Sequence, residues 1–543
     1  MRTLLTLSTS LLVLATACES GPAAIPEPPV LKVTSPARGT VLGHAGQVTV
    51  SGTVTPNADG TAIDQVRVND VAATVGADGA FTATIMVREG ETLIQTVARD
   101  ARGTTKSDTR ALQAGTLKPV GSEMPSAIAV AMSTDAFAKI SAAAGPLIQG
   151  LDLGAMLAPM QPMASAGSTC NGIRISVDDV NLAGVKLALT PVQNGLTVRA
   201  EFDGVDVPGH ASYSLLCRDF SQSLRVRASK IVVAGTLSVT PNGMTGFTTK
   251  LNNPAVTIDG LQLSAGGIPD PLLNLLNFDS LLQTVAGKAA ELAMNPLMNQ
   301  ALGALAGPQK LDLLGKQMTL QVAPSAIAFD AGGATLMMNL KVLIAGSESS
   351  PGFIFTPNGA PTLDSDHGFQ LGIADDLANE MLAELRATRS LDLSVPVAGG
   401  AFDTAQIEMA LAPMISADAS DGQLRLMLGD MLATFTDHGT PVAKAAINAR
   451  VDLQIAPASN GYGVALQLGA PEIHIDTLDD VANTTGIDDD SLAHAVDVML
   501  GVQIAAISKL LVAIPLPAVA GLAPHNLGIA SDAGYVMVSG EFQ

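Results

Sequence analysis

The sequence predicts an α+β chain: long apolar helices on twisted antiparallel sheets in two similar halves, with a smaller all-β module in front. Three observations predict it. Short stretches along most of the chain alternate apolar and polar residues, as half-buried antiparallel strands do. Two long apolar runs, residues 270–305 and 491–515, repeat their apolar residues at helical spacing. The segments after the two runs are alike: Ala323-Pro324 and Ala523-Pro524 lie 200 residues apart, and each leads through Asp-Ala-Gly (from Asp330 and Asp532) into a methionine-bearing apolar strand.

In the first run, Asp270-Pro271 offers a capping oxygen and a ring that needs no N–H donor. After Asp279-Ser280, Leu281, Leu282, Val285, Ala289, Leu292 and Ala293 form one stripe. In the second run, Asp488–Asp490 crowd the N-terminal end, where carboxylates suit the helix dipole. Leu492, Val496, Met499, Leu500, Ile504, Ile507, Leu511 and Ile514 make its stripe, and Pro515 closes it. A second matched pair precedes these runs. Strand 127–132 leads into a helix capped by Ser133–Asp135 and carrying Phe137, Ile140, Leu147 and Ile148. Strand 369–373 leads into a helix capped by Asp375-Asp376 and carrying Leu377, Met381, Leu382 and Leu385. Each half then reads strand, helix, many strands, helix, strands, which places the halves at 115–320 and 321–543.

Composition narrows the function. Lys and Arg number 29 against 50 Asp and Glu, a formal charge of −21, which argues against nucleic acid and against electrostatic capture by anionic head groups. Any dealing with lipid must run through apolar burial. The chain is 47% hydrophobic but 3% aromatic, with 20 Met and no Trp, an aliphatic and pliable interior. Three Tyr and no Trp cannot build the aromatic girdles of an outer-membrane barrel. Residues 498–514 contain Gln503 and Lys509 and fall short of the ~20 apolar residues of a spanning helix. No HExxH, Gly-x-Ser-x-Gly or phosphate-cradling glycine loop occurs, so no catalytic residue, metal ligand or cofactor is assigned. The acidic run 476–490 lacks the spacing of an EF-hand and reads as a solvated loop entering a helix, with calcium as the lesser reading.

At the N-terminus, Arg2, the apolar stretch 4–14 and Leu14-Ala-Thr-Ala-Cys18 resemble a bacterial lipoprotein signal peptide. The resemblance implies cleavage after residue 17, diacylation of Cys18 and residence in the bacterial cell envelope, with the outer membrane favoured; two or more acyl chains anchor firmly. Residues 18–29 form a Pro-rich tether. In an oxidising compartment Cys170 and Cys217 read as a disulfide, whose loop of about 46 residues would favour folding by roughly 4 kcal/mol. Metal binding by two thiols without a nearby His is the weaker reading.

Residues 30–114 alternate in short strands. Asp78-Gly-Ala-Phe81, Glu89-Gly90 and Ala98-Arg-Asp-Ala-Arg-Gly103 resemble bacterial immunoglobulin-like modules, which implies a spacer sandwich. In the remainder, Ile514-Pro-Leu-Pro-Ala-Val-Ala-Gly-Leu522, Asn526-Leu-Gly-Ile529, the stretch from Asp532 to Glu541 and Gly372-Ile-Ala-Asp-Asp-Leu-Ala-Asn-Glu-Met381 resemble the family of bactericidal/permeability-increasing protein, lipopolysaccharide-binding protein and cholesteryl ester transfer protein, within the tubular lipid-binding (TULIP) superfamily. The resemblance implies two halves joined by a central sheet, each wrapping a sheet around a long helix and leaving an apolar tunnel. The tunnel-lining candidates are then Phe137, Ile140, Leu281, Leu282, Val285, Leu377, Met381, Val496, Leu500 and Ile504. Basic members of the family grip lipopolysaccharide with cationic tips, and this acidic chain departs from them. The expected function is a membrane-anchored, non-enzymatic lipoprotein that binds or transfers phospholipid or another acyl lipid. The alternative is a surface adhesion or scaffold lipoprotein.

Overall fold

The computed structural model describes residues 27–243, 246–269, 272, 278–302, 307–356, 359–364, 368–396, 402–416, 424–457, 464–478 and 522–543, together with 496, 498, 500–502 and 504. The signal segment with Cys18, the Asp270-Pro271 cap, Asp488–Asp490 and most of the second apolar run lie outside these residues. Among the described residues sheet dominates and helices are few.

The chain divides into two compact units. The smaller holds Val48–Ile85, Gln95–Asp108 and the segment up to Pro36. It is antiparallel: Val30–Ser35 pairs with Gly46–Thr55, and Ile63–Val68 with Gly90–Asp100. Strand Ala80–Val87 alternates exposed and buried residues strictly, with Phe81, Ala83 and Ile85 inside. The Asp100–Gly103 motif has a physical reason. The Asp100 carboxylate accepts the backbone N–H groups of Arg102 and Thr104, each at 2.9 Å, and Gly103 takes the left-handed φ of 91° that closes the turn.

The larger unit comprises Ala37–Gln47, Met86–Ile94 and Thr109–Gln543, so three stretches of the module 30–114 belong to it. One of them supplies Arg38, whose guanidinium meets the buried Asp430 at 2.9 Å and Asp476 at 3.4 Å. Asp430 also accepts Gly39 N–H, and Asn448 accepts Asp430 N–H and donates to Thr109 O.

Seven strands form a sheet in the order Gly307–Leu313, Lys316–Phe329, Gly333–Ile344, Met124–Ser133, Phe369–Ala374, Tyr535–Phe542, Pro524–Asp532. Apart from the edge strand Gly307–Leu313, the order is symmetric about one central pair. Met124–Ser133 and Phe369–Ala374 pair antiparallel from Ile128↔Ile373 to Met132↔Phe369, and each is flanked by a hairpin, 316–344 on one side and 524–542 on the other; the first of these lies across the boundary expected at residue 320. The two Asp-Ala-Gly stretches are the turns of those hairpins, as the register Phe329↔Ala334 and Asp532↔Tyr535 shows.

Two further sheets of seven strands repeat one topology. The first contains Ala164–Gly167, Asn171–Val177, Gly184–Val192, Gly195–Leu215, Arg218–Pro241, Phe247–Asp259 and Gln262–Ser264. The second contains Leu393–Pro396, Thr404–Met409, Met414–Ser416, Leu424–Asp437, Thr440–Pro457, Val464–Leu468 and Glu472–Leu478. In both, counting strands along the chain, the order is one, two, four, five, six, with strand three on four and strand seven on five. The duplication read from the Ala-Pro and Asp-Ala-Gly matches is thus a duplication of strand order. In the first sheet the two longest strands pair from Leu196↔Leu237 to Leu215↔Arg218. Their inner face buries Leu196, Val198, Ala200 and Phe202, while the outer face carries ion pairs: Glu201 with Arg199 and Lys230, Asp206 with Arg225. The Cys170–Cys217 disulfide is present, at the turn between these strands, with Cys217 N–H donating to Cys170 O at 3.1 Å.

Helices cover the inner faces. Helix α1 (Thr134–Gln149) has Ser133 as N-cap, its Oγ accepting Ala136 N–H at 3.2 Å, and packs on strand Gly184–Val192. Ser141 Oγ accepts Leu189 N–H at 2.9 Å, and Gly145 lies so close to Val185 that a Cβ would sit 2.5 Å from its carbonyl oxygen. Helix α2 (Leu153–Leu157) is capped by Asp152. Helix α3 (Phe278–Leu302) lies on strand Phe247–Asp259, where Asn299 accepts Phe247 N–H at 2.7 Å and donates to Phe247 O at 3.1 Å. Helix α4 (Asp375–Ala387) differs from the expectation. Its N-cap is Ala374, and Asp375 and Asp376 lie in the first turn without capping it; their neighbours in space, not in sequence, claim Asp376.

Candidate lipid-binding interior

One contiguous apolar core runs through the larger unit from Met124 to Phe542. Phe137, Ile140, Leu377, Met381, Val496, Leu500 and Ile504 all join it, although they come from three separate parts of the chain. Val496, Leu500 and Ile504 are buried at four-residue spacing while Val498 and Val502 are exposed, the amphipathic pattern of a helix. Val285 is buried, at 7% exposure, outside that core cluster. The side chains of Leu281 and Leu282 lie outside the described residues. The other predicted lining residues pack into the interior, and none of them borders the three cavities beside α4 and α2.

Helix α4 carries the least expected chemistry. Asp376, Glu380 and Glu384 come at intervals of four, so they share one face, and all are buried, with exposures of 2%, 0% and 0%. Each accepts a backbone N–H group from a residue at or just beyond a strand end. Asp376 Oδ1 takes Thr356 N–H at 3.0 Å and its hydroxyl at 3.2 Å. Glu380 Oε1 takes Gly121 N–H at 2.8 Å. Glu384 Oε2 takes Ile344 N–H and, at 2.6 Å, the Ser347 hydroxyl. Burial, opposed only in part by these bonds, pushes Asp376 up to about 7 and Glu380 up to about 8, and raises Glu384. Burial therefore favours the protonated form of Glu380 at neutral pH, leaves Asp376 near its midpoint and pushes Glu384 in the same direction, which eases three acids onto one dry helix side. Glu91, in the same unit, is pushed up to about 8 by burial, against the hydrogen bond from Gln113. A composition count of acids could not separate these four from the solvated ones. The i, i+4, i+8 spacing was the available signal.

Beside this face, a cavity of about 310 Å³ is bordered by Met124, Ser126, Met337, Phe355, Asp376 and Tyr535, with the Tyr535 hydroxyl donating to Ser126 O at 2.8 Å. On the next face round α4 a second cavity, of about 240 Å³, has walls from Phe353, Ile354, Leu411 and Met414. A third, wider and polar, of about 930 Å³, opens beside α2, where His210 Nδ1 lies 2.7 Å from Asp178.

Among the described residues His210 meets Asp178, His438 meets Asp403, His474 meets Glu472 and His44 meets the carbonyl of Ala45. None bonds a serine, threonine or cysteine side chain. Asp403, Asp437 and His438 bring ligand atoms within 4.8 Å of one another on the surface, a grouping that no spacing in the sequence marks. Of the acidic run 476–490, Asp476 is buried against Arg38 and Thr109 N–H, while 479–490 lies outside the described residues.

With this geometry in place, the chain can be compared with known proteins. A family model described as glucodextranase, domain B, matches residues 29–115. No curated protein matches the sequence. Solved structures are matched over most of the chain at low identity. The crystal structure of lipopolysaccharide binding protein is 12% identical, with 78% of this chain and 99% of that chain covered and a TM-score of 0.36. P47 of Clostridium botulinum E1 is 10% identical, with 77% and 98% covered and a TM-score of 0.27. P47 from Clostridium botulinum A2 is 10% identical, with 76% and 96% covered and a TM-score of 0.29. Likenesses of this degree decide no ligand; the chain's own topology and interior carry the functional reading.

Proposed function

We propose that the chain is a membrane-anchored lipoprotein of the tubular lipid-binding kind, which binds or transfers phospholipid or another acyl lipid by burial alone, without a covalent step. The observation that carries this reading is the repeat: two sheets with one strand order, a third sheet in which two strand-and-hairpin units pair, and apolar helices packed into the shared core. An interior so rich in Leu, Ile, Val, Ala and Met suits acyl chains, whose transfer from water is worth about 0.8 kcal/mol per methylene. A lipidated Cys18 on a Pro-rich tether would keep the lipid-binding unit within reach of a bilayer.

The test is native mass spectrometry of the full chain carrying Cys18→Ser, with uptake of labelled phospholipid measured alongside. Co-purified lipid masses and saturable uptake are the expected result. Apo mass alone under mild conditions, with no uptake, would sink the reading.

A further inference from the structure

Helix α4 turns a face toward the cavity of about 240 Å³, and that face carries two donors, the Asn379 amide and the Arg386 guanidinium. Asn379 is 3% exposed. Its Oδ1 accepts Ile415 N–H at 2.7 Å, which fixes the orientation of the amide, and its Nδ2 has no hydrogen-bond partner among the described residues. Two turns further on, Arg386 donates from Nε to Met409 O at 3.0 Å and from Nη2 to Ala410 O at 2.7 Å. Among the described residues Nη1 donates to nothing and no carboxylate touches the guanidinium. Asp392 acts on it only from beyond contact. Between the two lies Ala383, whose single methyl leaves the space open.

Both groups are donors, and one is a permanent cation. A water could answer the amide, but an anion with several oxygens on one head also neutralises the guanidinium. The neighbouring acid does not oppose this: Glu91, reached through Gln113 on the cavity wall, is held protonated at neutral pH by its burial. The remaining wall is apolar, from Phe353, Ile354, Leu411 and Met414. At about 240 Å³ the cavity is smaller than the ~300–1,000 Å³ of whole-ligand pockets, a size for a head and its first methylenes.

The geometry points to an anion subsite on Asn379 and Arg386 that takes the carboxylate or phosphate head of an acyl amphiphile, with its chain against Phe353, Ile354, Leu411 and Met414. It rests on the lipid-binding reading only for the acyl chain; the oxyanion contact stems from the donors alone.

Calorimetric titration of the full chain carrying Cys18→Ser, so that no acyl group of its own competes, tests this with decanoate, methyl decanoate and inorganic phosphate at pH 7. Decanoate should bind saturably. Arg386→Gln, or the neutral methyl ester in place of the acid, should weaken binding about tenfold or more, the usual worth of a charge-assisted contact. Ala383→Leu fills the cavity and leaves both donors intact, and should weaken decanoate to the same degree. If Arg386→Gln does not fold, Ala383→Leu and the ester still decide. Decanoate binding that ignores both substitutions, or no binding at all, overturns the subsite. Phospholipid uptake persisting in that case leaves the lipid-binding reading intact. Decanoate held at Arg386 by a protein that takes up no phospholipid supports the subsite and sinks that reading. Phosphate binding as tightly as decanoate, and unaffected by Ala383→Leu, overturns the acyl part and identifies a free anion as the ligand.

Discussion

Replacing Glu380 by Gln should stabilise the protein at pH 8 and flatten its pH dependence. The Glu380 carboxyl is fully buried, accepts Gly121 N–H through one oxygen, and leaves the other, Oε2, without a partner among the described residues. Burial raises its pKa from 4.5 to about 8. Above pH 4.5 the unfolded chain releases this proton while the folded chain keeps it. The contribution to stability is therefore fully present below pH 4.5, drains away as pH rises, and levels off beyond about pH 8. Between pH 4.5 and pH 7 about 2.5 units of unmatched proton binding remove roughly 3 kcal/mol. Asp376 and Glu91, both raised, act with the same sign. Glu201 and Asp206, lowered by Lys230 and Arg225, act in the opposite sense, but below the ordinary carboxylate range. Glutamine keeps the acceptor for Gly121 N–H and cannot ionise. Urea denaturation followed by circular dichroism at pH 5 and pH 8 measures the effect. Wild type should lose stability toward pH 8, and Glu380→Gln should recover a large part of the loss while matching wild type at pH 5. A wild type that gains stability over this range, or a variant with the wild-type slope, refutes the protonated-carboxyl account.

Four other substitutions have outcomes that a denaturation assay reads directly. Cys217→Ser removes a cross-link over a sequence separation of 47 and should cost about 4 kcal/mol, read as a lower urea midpoint that reducing agent does not lower further. Arg38→Met leaves the buried Asp430 without its cation and should destabilise by about 3–5 kcal/mol in the same assay. Glycine-to-alanine changes in two helices should differ in sign. Gly145→Ala drives a methyl toward Val185 O and should lower the melting temperature, at a cost of about 1–3 kcal/mol. Gly287→Ala meets nothing nearer than 3.8 Å and should raise it, by up to about 1 kcal/mol of helix propensity. Equal shifts for the two glycines would refute the packing argument.

Local periodicity carried much of this fold. Alternation along Gly195–Leu215 told which face is wet, because a strand's side chains alternate whatever its partner is. The Ser133 cap was legible for a similar reason, since donor and acceptor lie within one turn. The same logic failed at Asp375-Asp376. A carboxylate at a helix start reads as a cap from its neighbours, but Asp376 instead meets Thr356, brought there by the fold.

The amino-acid sequence by itself showed the matched stretches, the apolar stripes and the acidic balance of charge, features written in composition and local order, and read the two cysteines as a disulfide only through the compartment expected for them. Tertiary structure alone decided that both large sheets share one strand order, that Glu380 meets a backbone amide 259 residues away, and that Asn379 and Arg386 face one cavity. The physical reason is range. Side-chain periodicity sorts residues into inside and outside, whereas the partner of a buried polar group is set by which distant backbone the completed sheets deliver to it.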